Sequence, residues 1–268
     1  MYRIKKGIFI LFSGGYDSSY LVSKVLNKFE NIGYDGVTNN TEINLVSIEA
    51  NFSRSKTNRE KEVRKKLIDY WKRKYSVKIK CNTLKIDISD FRIDTRTTGL
   101  FQPLFWLPPL LTSLNLADYD CIDILFSYIL GDQSLSVKES IDNIISNALD
   151  IAVIDTVDAY FTEYNCKGIK AKVSTAYPLS HISKEDLLLD LIRLDQYVFE
   201  NCTTCENTGP IDFCGFCKPC FTLKQSLNNI LSYGAISAEE RSIINKKLSQ
   251  FDKSEQKKEE AKEDGVES

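Results

Sequence analysis

Short apolar runs alternate along the chain with amphipathic segments, and this alternation predicts the order of strands and helices. The predicted strands lie at 6–13, 43–52, 77–88, 121–129 and near 169–174. The predicted helices lie at 17–29, 55–75, 104–117, 137–152 and from 184 onward, where Ser183 has the pattern of an N-cap. Strands that alternate with helices in this way favour an α/β fold with a mainly parallel sheet, covered by helices on both faces.

Length and the distribution of charge predict one α/β domain with an appended module. A chain of 268 residues can bury a sizeable core. We expect the α/β domain at 1–200 and a smaller metal-binding module with C-terminal helices at 201–248. Residues 249–268 contain almost no apolar side chain and are predicted to form a charged tail that is disordered or a frayed helix.

Composition narrows the class of protein. The 35 Lys and Arg residues nearly balance the 37 Asp and Glu residues, so the net charge of −2 gives no reason to expect general nucleic-acid binding. No apolar run reaches the roughly 20 residues that a membrane-spanning helix needs. The apolar run near the start is followed by Gly-Gly-Tyr-Asp and not by a small-residue cleavage site, so it predicts a first strand in a cytoplasmic protein.

Five of the eight cysteines lie between Cys202 and Cys220, and their spacing is typical of a metal site. Cys214, Cys217 and Cys220 form two overlapping C-x-x-C units, whose thiolates can share one tetrahedral ion. The fourth ligand from this pattern is Cys205 or Cys202. The remaining cysteines, which are scattered and are interpreted as small buried apolar residues, are Cys81, Cys121 and Cys166.

A run of small residues, Ser13-Gly14-Gly15-Tyr16-Asp17-Ser18-Ser19, joins the first strand to the first helix. Glycines at such a turn let backbone N–H groups point at an anion, and the helix N-terminus adds the positive end of its dipole. The run therefore predicts a phosphate cradle, although it is neither a Walker motif nor G-x-G-x-x-G. An ordinary glycine-rich turn with Ser and Asp caps is the alternative.

The run resembles the "SGGxDS" loop of the PP-loop ATP pyrophosphatases. These enzymes have an adenine-nucleotide alpha-hydrolase-like fold, cleave ATP between the α and β phosphates and adenylate a substrate oxygen. The resemblance implies that Ser13 and Asp17 are catalytic and that Asp17 is a ligand of Mg²⁺. It also implies that the nucleotide contacts Phe12, Ser13, Gly14, Gly15, Tyr16, Asp17, Ser18 and Ser19.

Within that superfamily the chain resembles the 7-cyano-7-deazaguanine synthases, the QueC group. Their zinc site consists of one cysteine, a second nine residues later, and two more at intervals of three. This spacing is reproduced by Cys205, Cys214, Cys217 and Cys220, so the resemblance implies a Zn²⁺ site in which Cys205 and not Cys202 is the fourth ligand. Their "PL…lsK.e" segment is matched by Pro178, Leu179, Ser183, Lys184 and Glu185.

Three segments depart from the QueC pattern. Where the group has "YGQRH", an Arg-Asn after a proline and "DxSGYPDC", this chain has "ANFSRSKTNRE" at 50–60, "QPLFWLPP" at 102–109 and "GDQSLSVKES" at 131–140. The resemblance therefore implies ATP and a 7-deazaguanine carboxylate as substrates, with an altered acceptor. We favour the amine of a protein encoded nearby, as in QueC-like paralogues of antiviral gene clusters, over ammonia.

The resemblance also implies roles for residues beyond the loop. Glu49 and Asn51, at the end of the second strand, are expected near the nucleoside. Lys184 is expected to contact phosphate and to be catalytic, against the alternative of a solvated lysine. Asp132 is expected to contact substrate, against the alternative of a simple turn residue. His181, the single histidine, is interpreted as structural.

Several alternatives remain open at this point. The protein is either such a ligase, an ordinary synthase that uses ammonia for queuosine-type biosynthesis, a tRNA thiolation enzyme, or a catalytically silent nucleotide-binding module. The segment at 105–111, "FWLPPLL", packs against the sheet by default, and the alternatives are a lip over the substrate base or a contact in a homodimer.

Overall fold

The computed structural model contains a central sheet of seven strands. The strands are β1 Lys6–Leu11, β2 Thr41–Ala50, β3 Lys78–Ile86, β4 Cys121–Leu125, β5 Ile151–Asp158, β6 Phe161–Cys166 and β7 Lys172–Ala176. The helices are α1 Tyr16–Asn31, α2 Arg54–Lys74, α3 Pro103–Thr112, α4 Lys138–Ala148, α5 Lys184–Leu194, α6 Gln196–Asn201, α7 Lys218–Ser232 and α8 Ala238–Glu263. The structure describes residues 4–31, 40–50, 54–86, 103–114, 116–132, 138–148, 151–158, 161–166, 171–205, 213–214, 217–233 and 235–263.

The order of the strands places a crevice at the carboxyl ends of β1 and β4. The order is β3-β2-β1-β4-β7-β6-β5, and the first five of these strands are parallel. β2 and β3 lie on one side of β1 in the sheet. After β3 the chain crosses to the other side of β1, where it forms β4. The crevice at the carboxyl ends of β1 and β4 is therefore a topological switch point, where open α/β sheets bind ligands.

Both faces of the sheet are covered, and β1 shows this directly. Ile8 and Ile10 belong to a core shared with α1, α2 and α5 to α8, whereas Phe9 belongs to a second core shared with α3 and α4. Successive side chains of a strand point to opposite faces, so a continuous apolar run requires a core on each face. The predicted α/β fold with a mainly parallel sheet is confirmed.

The antiparallel hairpin β5–β6 was not predicted from the sequence, and the helix predicted at 137–152 is wrong at its end. Ile151 and Ala152 belong to β5, and α4 ends at Ala148. Ile141 and Ile145 are buried at helical spacing, and no glycine or proline separates them from the apolar residues of β5. Without such a residue the sequence does not mark where the helical pattern stops.

The C-terminal module is built into the same core as the α/β domain. The boundary predicted at residue 200 falls inside α6, and the large core contains Leu223 and Ile244 of the module together with Ile10 of β1. α8 continues to Glu263, and Phe251 is fully buried against Phe213. A disordered or frayed helical tail from 249 stays a prediction. None of the helices that the structure describes is long and apolar enough to cross a membrane.

Candidate functional site

The turn from β1 to α1 has the backbone shape that its glycines allow. Gly14 has a φ of +87°, a left-handed conformation that side chains disfavour. A Cβ atom at Gly14 would also lie 3.2 Å from Cγ1 of Val63, because α2 packs closely behind the turn. Conformation and space therefore both favour glycine at this position. We call residues 12–19 the phosphate loop.

Hydroxyl groups hold the phosphate loop in place. The N–H of Gly15 donates to Oγ of Ser13 at 3.2 Å, and Oγ of Ser18 donates to the carbonyl of Gly15 at 3.3 Å. The N–H of Ser19 donates to the carbonyl of Gly15 at 3.0 Å, which is the first turn of α1. The preceding N–H groups therefore point out of the helix end, as in sites that bind anions.

Not every residue of the phosphate loop presents its side chain to a ligand. The side chains of Phe12, Tyr16 and Ser19 are buried, with exposed fractions of 1% or less. Burial raises the pKa of Tyr16 well above its usual range, and the nearby Cys202 and Cys220 add to the effect. Phe12, Tyr16 and Ser19 could therefore meet a nucleotide through their backbone, and their predicted contacts stay predictions.

Three of the predicted site residues come together at the N-terminus of α1. Nζ of Lys184, in the first turn of α5, donates to Oδ1 of Asp17 at 2.5 Å. Asp132 follows β4, and its Oδ2 accepts from the N–H of Ile129 at 2.9 Å. Burial raises the pKa of Asp132, and the charge of Asp17 raises it further, against opposing effects of the Ile129 N–H and Lys184. Two carboxylates beside a lysine and a helix N-terminus can hold a divalent cation together with a polyphosphate.

The carboxylate of Glu49 is engaged by a residue that the sequence analysis did not single out. Arg64 of α2 donates to Oε1 of Glu49 at 2.7 Å, and the two side chains are only 5% and 11% exposed. Arg64 also contacts Glu60 at 3.7 Å. Arg64 could have been singled out from the sequence, because it lies three residues before the buried Leu67 on the apolar face of α2. A charged side chain on such a face needs a partner. Asn51 lies outside the described residues.

A cleft of about 210 Å³ opens beside the phosphate loop where β1, β2 and β4 end. Ser13 and Ser18 line one side of the cleft, and Trp106, Phe126 and Tyr128 line the other. The ring centroids of Trp106 and Phe126 are 5.5 Å apart, and the rings of Phe126 and Tyr128 are nearly parallel at 6.1 Å. We call these three residues the aromatic wall. Such a surface suits a flat ring.

The segment at 105–111 both packs against the sheet and lines the cleft. Leu107 and Leu110 are fully buried in the core beneath α3, as the default interpretation has it. Trp106 is half-buried and contributes to the aromatic wall. His181 is exposed in the turn before α5. Ser183 is confirmed as the N-cap of α5, since its Oγ accepts from the N–H of Asp186 at 3.1 Å.

The four cysteines predicted as metal ligands form one group. The sulfur atoms of Cys205, Cys214, Cys217 and Cys220 all lie within 4.8 Å of one another. The N–H of Cys217 donates to Sγ of Cys214 at 3.3 Å. Cys217 is the N-cap of α7 and Cys220 lies in its first turn, so helix formation brings both ligands to one point. The group can hold a metal ion.

Cys202 is separate from this group. It is 3% exposed and lies next to Ser19 of the phosphate loop. Burial raises its pKa to about 12, against smaller opposing effects that include the nearby Lys247 and Lys184. At neutral pH its thiol is therefore protonated and inaccessible.

Comparisons with known proteins add little to this site. No protein-family model matches the chain, and no curated protein sequence matches it. Among solved structures, the chain is similar to the U34-tRNA thiolase NcsA from Methanococcus maripaludis with its [4Fe-4S] cluster. The identity is 14%, the TM-score is 0.40, and the match covers 94% of this chain and 74% of NcsA. A similarity at this level assigns neither a family nor an activity.

Proposed function

We propose that the protein is an ATP pyrophosphatase of the PP-loop type that adenylates a carboxylate and transfers the acyl group to a nitrogen nucleophile. The observation that carries the proposal is the convergence of Asp17, Lys184 and Asp132 at the N-terminus of α1. Asp17 lies within the phosphate loop, and two other residues of that loop, Ser13 and Ser18, line the cleft. A pyrophosphate leaving group needs a cation, metal ligands and N–H donors to offset its charge, and Lys184, the two carboxylates and the N-terminus of α1 offer these.

The residues act chiefly by positioning and by stabilising charge. The N–H groups at the start of α1 and the Lys184 ammonium would hold the pyrophosphate, while an oxygen of the acid attacks the α-phosphorus. The bond from the α-phosphorus to the bridging oxygen then breaks, and pyrophosphate leaves. Mg²⁺, which Asp17 and Asp132 would hold, supplies charge that offsets the negative charge developing on the pyrophosphate.

The second half-reaction forms the amide. The nitrogen nucleophile attacks the acyl carbon, the bond from that carbon to AMP breaks, and the nitrogen loses a proton. We propose that the acid is 7-carboxy-7-deazaguanine, because the aromatic wall offers a stacking surface for a flat heterocycle within the cleft that Ser13 and Ser18 also line. The carboxylate would then face the loop while the ring lies against Trp106 and Tyr128.

A protein amine is proposed as the acceptor, with ammonia as the alternative. This proposal is supported by the position of one segment that departs from the QueC pattern. The segment at 102–109 enters α3 and supplies Trp106 of the aromatic wall, while the phosphate loop and the four cysteines keep the pattern. The departure at 102–109 therefore changes the aromatic part of the cleft, while the phosphate loop keeps the pattern. A homodimer is part of the same proposal, and α3 is one surface that it could use.

The metal is proposed to be Zn²⁺ in a structural role. Zinc–sulfur bonds of about 2.3 Å place the sulfurs of a tetrahedral site roughly 3.8 Å apart, and the present separations of up to 4.8 Å need little adjustment. A [4Fe-4S] cluster holds each cysteine on a different iron and therefore needs a wider arrangement. Thiolation of tRNA is less well supported, because Cys202 is buried beneath the phosphate loop.

The test is incubation with ATP, Mg²⁺ and 7-carboxy-7-deazaguanine, first with ammonium and then with the products of adjacent genes. AMP and pyrophosphate must form, and a partner protein must gain the mass of the acyl group in intact mass spectrometry. Formation of ADP and phosphate would refute the proposed chemistry. Efficient conversion of ammonia to a nitrile would show an ordinary synthase, and no nucleotide turnover with any acid would show a silent module.

A further inference from the structure

The segment at 202–205 connects the phosphate loop directly to the cysteine group. The N–H of Thr203 donates to the carbonyl of Gly14 at 3.3 Å. Two residues later, Cys205 supplies one of the four sulfurs of the group. Thr203 is 7% exposed, and residues 202–205 have no regular secondary structure. The position of this segment therefore depends on what holds its two ends, which are α6 and Cys205.

The hydrogen bond from Thr203 acts on the peptide unit that the loop needs for binding an anion. The carbonyl of Gly14 and the N–H of Gly15 belong to one planar peptide and point in opposite directions. Holding the carbonyl toward Thr203 therefore directs the N–H of Gly15 to the other side, where it now donates to Oγ of Ser13. Glycine tolerates both orientations of such a peptide, so the orientation depends on its hydrogen-bond partners, which are Ser13 for the N–H and Thr203 for the carbonyl.

Side chains reinforce the same connection. The buried ring of Tyr16 contacts Phe199 at 5.7 Å and lies close to Cys202 and Cys220. Lys247 of α8 is 3% exposed, and its Nζ lies 5.7 Å from the ring of Tyr16 and 4.6 Å from that of Phe213, the neighbour of Cys214. The loop and the cysteine group are thus linked through shared neighbours, namely Tyr16, Phe199 and Lys247.

We propose that Thr203 is a positioning residue for the phosphate loop, and that the metal at the cysteine group keeps it in position, so that metal occupancy sets the affinity of the loop for pyrophosphate. The inference rests on the proposed function in one respect, namely that the loop binds phosphate groups. Metal loss would free Cys205, loosen the segment at 202–205 and release the Gly14 carbonyl. The anion would then have to fix the peptide orientation itself, which lowers its affinity.

The first experiment compares Thr203→Pro with Thr203→Ala in the metal-loaded full chain. Proline removes the N–H, and the ψ of 150° at Cys202 is the conformation that a following proline requires. Alanine keeps the N–H and removes a buried hydroxyl that makes no hydrogen bond within the described part of the chain. Titration calorimetry with ATP and with inorganic pyrophosphate should show about tenfold weaker binding for the proline variant. The alanine variant should keep the affinity of the wild-type protein, and both variants should retain the metal.

The second experiment removes the metal by chelation. Hydrogen exchange is compared between metal-loaded and chelated wild-type protein, in peptides that cover the phosphate loop and, as a reference, Ile43–Ser47 of β2. Chelation should accelerate exchange in the loop and leave β2 protected, and it should weaken pyrophosphate binding much less in Thr203→Pro than in wild type. Equal acceleration in both peptides, or unchanged exchange in the loop, would overturn the inference, as would wild-type affinity in Thr203→Pro. If wild-type protein binds neither ATP nor pyrophosphate, the proposed function fails, while the exchange experiment still tests the connection.

Discussion

The two sides of the cleft are built in different ways. The phosphate loop is one contiguous segment, and hydrogen bonds among Ser13, Gly15 and Ser18 give it its shape. The aromatic wall combines Trp106 from α3 with Phe126 and Tyr128 from the chain after β4. The loop offers charge and N–H groups, and the wall offers flat apolar surface. In the proposed function, the loop would hold the polyphosphate of ATP and the aromatic wall would hold the ring of the acid.

The cysteine group is connected to the phosphate loop through residues 202–205, and loss of its metal should have the largest effect of the changes considered. Cys217→Ser should lose the bound metal and lower the free energy of unfolding by several kcal/mol, since a closed thiolate site contributes folding free energy directly. Metal content by mass spectrometry and thermal unfolding measure this. Cys202→Ser is the matched control, because Cys202 lies outside the group, and it should keep about one Zn²⁺ per chain. Loss of metal from the Cys202 variant alone would contradict the ligand assignment.

Asp17→Asn should strongly slow the proposed reaction and leave the aromatic wall unchanged. The change removes one charge from the pair with Lys184 while the size of the side chain is kept. Losing one preorganised contact of this kind typically costs on the order of 10²-fold in rate. The formation of AMP and pyrophosphate should fall by that factor, with metal content and circular dichroism unchanged. A rate within a factor of two of wild type would remove Asp17 from the proposed site.

Trp106→Ala should affect the wall alone. Loss of one stacking surface costs about 1–3 kcal/mol in comparable base–aromatic contacts, so the KM for the acid should rise about tenfold or more. The KM for ATP should change less than twofold, and Trp106→Phe should recover most of the loss. If the KM for ATP rises and the KM for the acid does not, the aromatic wall holds the adenine of ATP, and its assignment to the acid is wrong.

Glu42 lies at the opposite end of β2 and provides a control that should leave both sides of the cleft unaffected. Burial alone would raise its pKa, but hydrogen bonds from Lys78, Lys80 and Tyr119 lower it to about 2. Its stabilising contribution is therefore present above pH 4.5 and is lost as the pH falls from 4.5 toward 2. Glu42→Gln should lower the free energy of unfolding at pH 7 by about 1 kcal/mol and flatten its decrease over that range. A change in either KM would show that the two ends of the sheet are coupled.

The sequence predicted the parallel part of the sheet and the cysteine group, because both follow from local patterns. Ile8 to Ile10 form a continuous apolar run that only a strand with two covered faces explains, and Cys214, Cys217 and Cys220 are spaced for a single turn. The hairpin β5–β6 was missed because no residue type marks the boundary between α4 and β5. The burial of Phe251 within the predicted charged tail could not be read from the sequence, because it depends on the position of Phe213.

The sequence by itself therefore determined the fold class, the glycine-rich turn after β1 and the spacing of Cys214, Cys217 and Cys220. Only the tertiary structure brought Asp132 and Lys184 to Asp17, paired Arg64 with Glu49 and joined Thr203 to Gly14. The physical reason is the distance along the chain over which each interaction acts. Turn geometry and ligand spacing act over a few residues, whereas Lys184 and Asp17 are 167 residues apart and meet because parallel strands bring their carboxyl ends to one edge of the sheet.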